Sequence, residues 1–443
     1  MTGDQGLPRL NRGTRPKPPV RIVHLGLGAF HRSHQAWYTQ HAGDAAEWGI
    51  AAFTGRRPDA ADVLAEQDGV FTVVERSGRG DSFEVVGSIV EAVDGSDVGR
   101  LTELVAAPTT GVVTLTITES AYAADIAGSA EGSTPLARLV TALAARRDAE
   151  SGPIAVVSCD NLAENGDVAR QAVGALARAR DGGLAAWIDA NVSFVSTSVD
   201  RITPRTTQAD LDVVAASCGY RDLAAVVTEP FHNWILSGDF PAGRPRWEDA
   251  GAVFVDHIEP FENRKLWLLN GSHSILAYAG LLRGHATVAE ALSDDVCRGA
   301  VEAFWDEASR HLPGDELQIP KYRKALLERF GNSRIAHHLI QIAMDGTTKL
   351  RMRAVPVLAA ERSAGRSGDG AARMIAAWLA YVSSTTELQD PLAADIQDAK
   401  TLDGEHRTAA LVALISTELA NDAATVSQIH GQLDSFAATT SHA

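Results

Sequence analysis

Residues 20–42 read VRIVHLGLGAFHRSHQAWYTQHA, and few local structures suit them. Val20, Ile22, Val23 and Leu25 have the aliphatic, β-branched content of a parallel strand covered on both faces. Gly26 and Gly28 follow at once and permit a tight turn, and a helix is expected from about Phe30. In this order of strand, glycine turn and helix, a backbone can approach a dinucleotide pyrophosphate and offer it the N–H groups of a helix start. The pattern is incomplete, because His31 stands where G-x-G-x-x-G has its third glycine. Taken alone, the segment also suits a plain structural turn.

The chain then repeats the same grammar. Further strands are expected at 50–54, 71–75, 83–89, 112–118, 154–158 and 192–197, with SGRGD as the turn after the second of these and a helix over 134–147. Strands alternating with helical stretches argue for an α/β sheet up to about residue 255. Polar residues after such strands lie where parallel sheets bind ligands, which singles out Glu119 and Asn161. An Asx residue there also suits an ordinary turn. The strand at 50–54 runs into Gly55-Arg56-Arg57 and lacks the acidic residue that would hold a ribose 2′-hydroxyl. Arg56 and Arg57 could accept a 2′-phosphate instead, so NADP stands beside NAD as a possible cofactor. Asp59 and Asp62 are close enough in sequence to serve the ribose.

Residues 1–19, with four prolines among polar and basic residues, are expected to be a flexible lead. The Pro- and Gly-rich stretch 228–260 is expected to cross between domains. Beyond Phe261 the strand signals stop. Helices are expected at 261–283, 287–310, 319–331, 334–344, 370–384, 391–399 and 406–420, giving a mostly α-helical domain over 256–443 after a dinucleotide-binding domain over 20–255. Segment 363–371 reads as a loop.

Composition narrows the function classes. A formal net charge of −16 over 443 residues argues against nonspecific nucleic-acid binding. Cys159, Cys218 and Cys297 are far apart and form no zinc signature, which fits a reducing compartment. No apolar run approaches a membrane span, and a cytoplasmic protein is expected.

One stretch of the second domain carries chemistry. In DHIEPFENRKLWLLNGSHSILAYAG, residues 256–280, Lys265, Asn270 and His273 are polar groups in an apolar run. On an α-helix they would lie at roughly 140° and 80° from Lys265, so one cavity could receive all three. A lysine among apolar neighbours loses its proton more readily than in water and can act as a base. Asn270 can donate to a negative oxygen, and His273 can orient a hydroxyl. A core helix with a snorkelling lysine explains the same residues.

Several motifs converge on one family. GLGAFHRSHQAWY, TLTITESAY, SCDNLAENG, VDRITP, EPFHNW, KLWLLNGSHSILAYAG and IAMDGTTKL, in that order, resemble the mannitol dehydrogenase family of polyol-specific long-chain dehydrogenases, which includes fructuronate reductases (mannonate oxidoreductases). The resemblance covers roughly residues 20–355. It implies a Rossmann-like N-terminal domain, a largely helical C-terminal domain and metal-free hydride transfer between nicotinamide and a secondary alcohol. It places the general base on Lys265, the alkoxide-steadying pair on Asn161 and Asn270, and substrate contacts on His273, Asp200 and Lys349. Gly26, Gly28 and Phe30 match the pyrophosphate turn. Glu262, three residues before Lys265, is a candidate to pass the proton to water; an ion pair with Lys265 or Arg264 is its other reading.

Mannitol dehydrogenases tend to carry Arg eight residues before the DGxxK lysine, and this chain has Gln341 there. The run QIAMDGTTKL looks closer to the fructuronate reductase branch. Such a substrate carries a carboxylate, and Lys349, Arg351 or His337 could meet it. The expected partners are thus a small polyol or sugar acid, with no nucleic acid or membrane; the chain could be a monomer or a homodimer. A nucleotide-sensing protein without turnover would need no base at Lys265.

Overall fold

The computed structural model describes residues 6–55, 57–122, 134–335 and 337–437. Two compact units divide the chain, Met1–Glu259 and Pro260–Ala443.

The N-terminal unit is built on an eight-stranded sheet. Its spatial order is Val253–Phe254, Asn233–Ser237, Val192–Asp200, Ile154–Ser158, Val112–Leu115, Val20–Leu25, Gly49–Phe53 and Ile89–Val93. From Val192–Asp200 to Ile89–Val93 every pairing is parallel; Asn233–Ser237 pairs antiparallel with Val192–Asp200. The chain leaves Val20–Leu25 for the neighbour on one side, Gly49–Phe53, and later returns to the other side as Val112–Leu115. Strand order therefore reverses at Val20–Leu25, the position at which α/β sheets open a ligand crevice beyond the strand ends. Separate apolar layers cover the two faces, one including Ile22, Tyr38, Ile50 and Trp247, the other Val23, Phe53, Leu115, Leu139 and Val156. Alternate residues of one strand thus feed opposite layers, so the strands read as continuous apolar runs.

Two expectations change. The run 83–89 is not one strand. Gly80–Val86 joins Phe71–Ser77 and Val226–Thr228 in a small three-stranded sheet, and Ile89–Val93 goes to the edge of the large one. Gly87 and Ser88 are the break. The stretch 228–260 does not serve only as a crossing. It supplies two strands of the large sheet, and Trp234 and Trp247 from it are fully buried, their rings 4.6 Å apart. Burying two indoles outweighs the turn signal of the surrounding Pro and Gly.

The C-terminal unit is helical. Ser272–Leu282 and Asp369–Ser384 are apolar almost all round, and Asp295–Ser309 turns Phe304 and Trp305 into the same interior. The expected helix over 334–344 shrinks to Leu339–Ile342. The residues before it pair instead with 286–288: the Leu339 N–H donates to the Ala286 carbonyl at 2.9 Å and the Val288 N–H to the His337 carbonyl at 3.0 Å. Helices at Gly346–Arg353 and Val355–Ser363 were not signalled by the sequence pattern. No helix among the described residues is long and apolar enough to cross a membrane.

Candidate active site

The parallel sheet gathers five candidates at one edge of the N-terminal unit: Gly26 and Gly28 after the first strand, Glu119 and Asn161 after later ones, and Asp200 at the end of its own. Gly26 has φ +110°, and a Cβ there would meet the Thr116 carbonyl oxygen at 2.0 Å. Only glycine fits that backbone. Gly28 differs: a Cβ would find nothing closer than the Gly26 oxygen at 3.6 Å. Packing does not demand a glycine here, and the missing side chain leaves the backbone open where the helix Ala29–Ser33 begins. The first N–H groups of a helix have no intrahelical acceptor. This bare turn at the reversal point fits a dinucleotide pyrophosphate. Phe30 stacks on His34 with ring centroids 4.9 Å apart.

His31 explains the missing third glycine. Its ring is fully buried and lies flat on His24, centroids 3.3 Å apart and 7° from parallel. Thr114 and Thr116 hydroxyls hold the His24 nitrogens at 2.8 and 3.1 Å. Burial drives the His24 imidazole down to about 3 and that of His31 well below its ordinary value, so both rings are neutral and can stack. The helix–strand approach that a glycine would give is made by two stacked rings.

Asp160 is a residue that sequence reasoning missed. Its nearly buried carboxylate accepts the Ile117 and Thr118 N–H groups at 3.1 and 2.8 Å and the Tyr122 hydroxyl at 2.7 Å. It thereby holds Thr118 at φ +72° immediately before Glu119, which is exposed. Asn165 donates to the Asp160 and Thr197 carbonyls, each at 2.8 Å, and braces the turn that carries the exposed Asn161. Nothing in the sequence separates Asp160 from its neighbour Asn161 as a ligand or a brace. Asp200 ends its strand half-buried, opposite Asn233. Arg56 lies outside the described residues. Arg57 pairs with Asp59 at 3.2 Å, both exposed.

In the C-terminal unit the expected α-helix is corrected. Glu259–Arg264 and Ser272–Leu282 are α-helical, but Lys265–Gly271 between them is a π-helix. Its hydrogen bonds run i→i+5, so a residue five places on comes round to the same side of the helix as the first. Lys265 and Asn270 therefore share a face more closely than α geometry allows. The wide turn is held by side chains from within the helix and from outside it. Trp305 Nε1 and Ser272 Oγ both donate to the Leu268 carbonyl, at 2.8 and 2.5 Å. Arg353 Nη1 donates to the Asn270 carbonyl and to Ser274 Oγ, both at 3.0 Å. Gly271 allows the close pass of Phe304, whose ring would sit 2.6 Å from an added Cβ. Glu262 and Lys265 are half-buried, and Arg264 turns to the Leu317 carbonyl at 2.7 Å and the Tyr322 ring at 4.2 Å.

His273 meets two rings, Phe330 at 5.1 Å and His337 at 4.8 Å. Burial pushes its imidazole well below the usual value, and His337, Arg329, Arg353 and Lys349 push it further. Of these, Arg329, Arg353 and Lys349 act on it as cations, and it is a neutral hydrogen-bonding group at pH 7. Lys349 Nζ donates to the Ile342 and Met344 carbonyls at 3.0 and 2.6 Å; burial, then Arg353, lowers its pKa. Arg351 donates to the Leu414 carbonyl at 3.1 and 2.6 Å. Gln341 goes elsewhere. With Trp378, Tyr381 and Asp390 it lines a pocket of about 310 Å³ that none of Lys265, Asn270, His273 or Lys349 touches. Among the described residues no group of three or more His, Cys, Asp or Glu could hold a metal ion.

Two family models match in succession, the mannitol dehydrogenase Rossmann domain over 20–249 and the mannitol dehydrogenase C-terminal domain over 257–437. The chain belongs to the mannitol dehydrogenase family of oxidoreductases. It is 37% identical to the D-mannonate oxidoreductase of Escherichia coli, an alignment covering 89% of this chain and 88% of that protein. It is 34% identical to the mannitol 2-dehydrogenase of Phaeosphaeria nodorum, covering 94% of this chain and 79% of the relative. Among solved structures, the Pseudomonas fluorescens mannitol 2-dehydrogenase in ternary complex with NAD and D-mannitol superposes with a TM-score of 0.77 at 32% identity, over 97% of this chain and 94% of that one.

Proposed function

We propose that this chain is an NAD(H)-dependent oxidoreductase that interconverts D-fructuronate and D-mannonate, with a lysine rather than a metal ion as its base. The substrate class rests on the cations Arg329, Arg353 and Lys349, which act on His273 and favour an anionic sugar over a neutral polyol, together with the 37% identity to the D-mannonate oxidoreductase. The bare Gly26–Gly28 turn and the NAD of the Pseudomonas fluorescens complex support the cofactor. A bound nicotinamide supplies the hydride acceptor or donor. Lys265 Nζ takes the hydroxyl proton as the carbonyl forms, and returns it in reduction. The Asn270 carboxamide donates to the oxygen as it gains charge, a contribution of about 3–4 kcal/mol for a well-placed donor. His273 orients a substrate hydroxyl. Asn161 is assigned as a second donor, Asp200 and Lys349 as substrate contacts, and Glu262 as the group that hands the proton to water.

A spectrophotometric assay on D-fructuronate, D-fructose, D-tagaturonate and D-xylulose, with NADH and with NADPH, tests the reading. D-Fructuronate with NADH should give the highest kcat/KM. A preference for D-fructose would move the chain to the mannitol branch, and cofactor binding without turnover would make it a sensor. A preference for NADPH would assign Arg56 and Arg57 to a 2′-phosphate.

A further inference from the structure

The carboxylate of a sugar acid sits at the far end of the substrate from the reacting carbon, and it needs a receiver. Three basic residues near DGTTK are candidates, and two are already committed. Lys349 spends two of its three donors on the Ile342 and Met344 carbonyls, which leaves one for a substrate hydroxyl but not a full carboxylate receiver, and Arg351 is turned to the Leu414 carbonyl. The third is not an ordinary loop residue. His337 belongs to a short backbone pairing, with Thr287 opposite His338, a hydrogen bond on either side of them, and the Thr287–Glu290 capping box fixing the other strand. That pairing presents the half-buried His337 ring edge-to-face to His273, 4.8 Å between centroids and 81° between planes.

The geometry points to His337 as the residue that selects a sugar acid over a neutral sugar, its imidazole N–H donating to the substrate carboxylate while His273 holds a hydroxyl nearer the reacting carbon. Arg329 acts on both imidazoles, so its charge is felt at this pair of rings. An anion gains from that field, whereas an uncharged hydroxyl in the same place gains only a neutral hydrogen bond. A neutral imidazole supplies one N–H donor, and a charge-assisted bond of this kind is about twice as strong as a neutral one.

This inference rests on the sugar-acid reading, and one experiment separates the two. Wild type, His337→Ala, His337→Gln and His337→Arg are assayed with NADH on D-fructuronate and D-fructose, with NADH binding measured by fluorescence as the control for folding. For His337→Ala, kcat/KM on D-fructuronate should fall about tenfold or more beyond any fall on D-fructose, with the loss in KM. His337→Gln, which keeps an N–H donor, should fall between, and His337→Arg should recover the acid. Parallel losses on both sugars, with wild type still preferring D-fructuronate, would overturn the role of His337 and leave the substrate reading standing. A wild type that prefers D-fructose would overturn both.

Discussion

At the scale of single residues, Glu262 offers a sharp test. It is half-buried one helical turn before Lys265, the spacing at which a carboxylate would relay the proton that the proposed base collects. Glu262→Gln keeps the shape and removes the base. The expected outcome is a fall in kcat of about tenfold, within the lower range for a proton-transfer group, with KM little changed and the pH dependence of kcat altered. An unchanged pH–rate profile would count against the relay. The residue scale also marks the limit of sequence reading. Lys265, Asn270 and His273 stand out because polar groups in an apolar run are costly without a purpose. Asp160 does not stand out, since its work is to accept two backbone N–H groups, and any turn aspartate looks the same in sequence. Arg353, the brace on Asn270, lies 83 residues along the chain from it, and no local pattern announces such a contact.

At the scale of elements, hydrophobic content located what packing would confirm. Ile154–Ser158 has the expected bounds, and Gly26 at φ +110° is the turn glycine that the strand–turn–helix pattern requires. Failures arise where a long-range partner overrides local preference. An α-helical period was the natural assumption for 261–283, yet the five-residue step from Lys265 to Asn270 matches the π repeat, and the external hold of Trp305 and Arg353 on its carbonyls makes the wide turn tenable. Helical periodicity over 334–344 yielded to the backbone pairing of 337–339 with 286–288. Gly-rich 228–260 yielded to the burial of Trp234 and Trp247. In the first two cases the override shapes the proposed site, bringing Asn270 to the same side as Lys265 and His337 beside His273.

At the scale of the whole molecule, the buried histidines set a pH limit. His24 and His34 are held neutral in the native state, each with its pKa lowered by burial to about 3. In the unfolded chain they titrate near 6.5. Between these values the unfolded state binds more protons than the native one, so stability is full above about pH 6.5 and is lost as pH falls. At pH 5.5 the two together cost about 3 kcal/mol, from ~1.4 kcal/mol per histidine per pH unit. The midpoint of urea unfolding should therefore drop clearly from pH 7.5 to pH 5.5, and a flat midpoint over that range would mean the rings protonate in place.

The central claim is that the Lys265 amine is the base of an alcohol–ketone interconversion, and chemical rescue tests it most directly. Lys265→Ala should bind NADH as wild type does and lose about 10²- to 10⁴-fold in kcat. Added primary amines should restore turnover in proportion to their basicity. A variant that keeps its rate, or one that loses it with no response to any amine, would contradict the account.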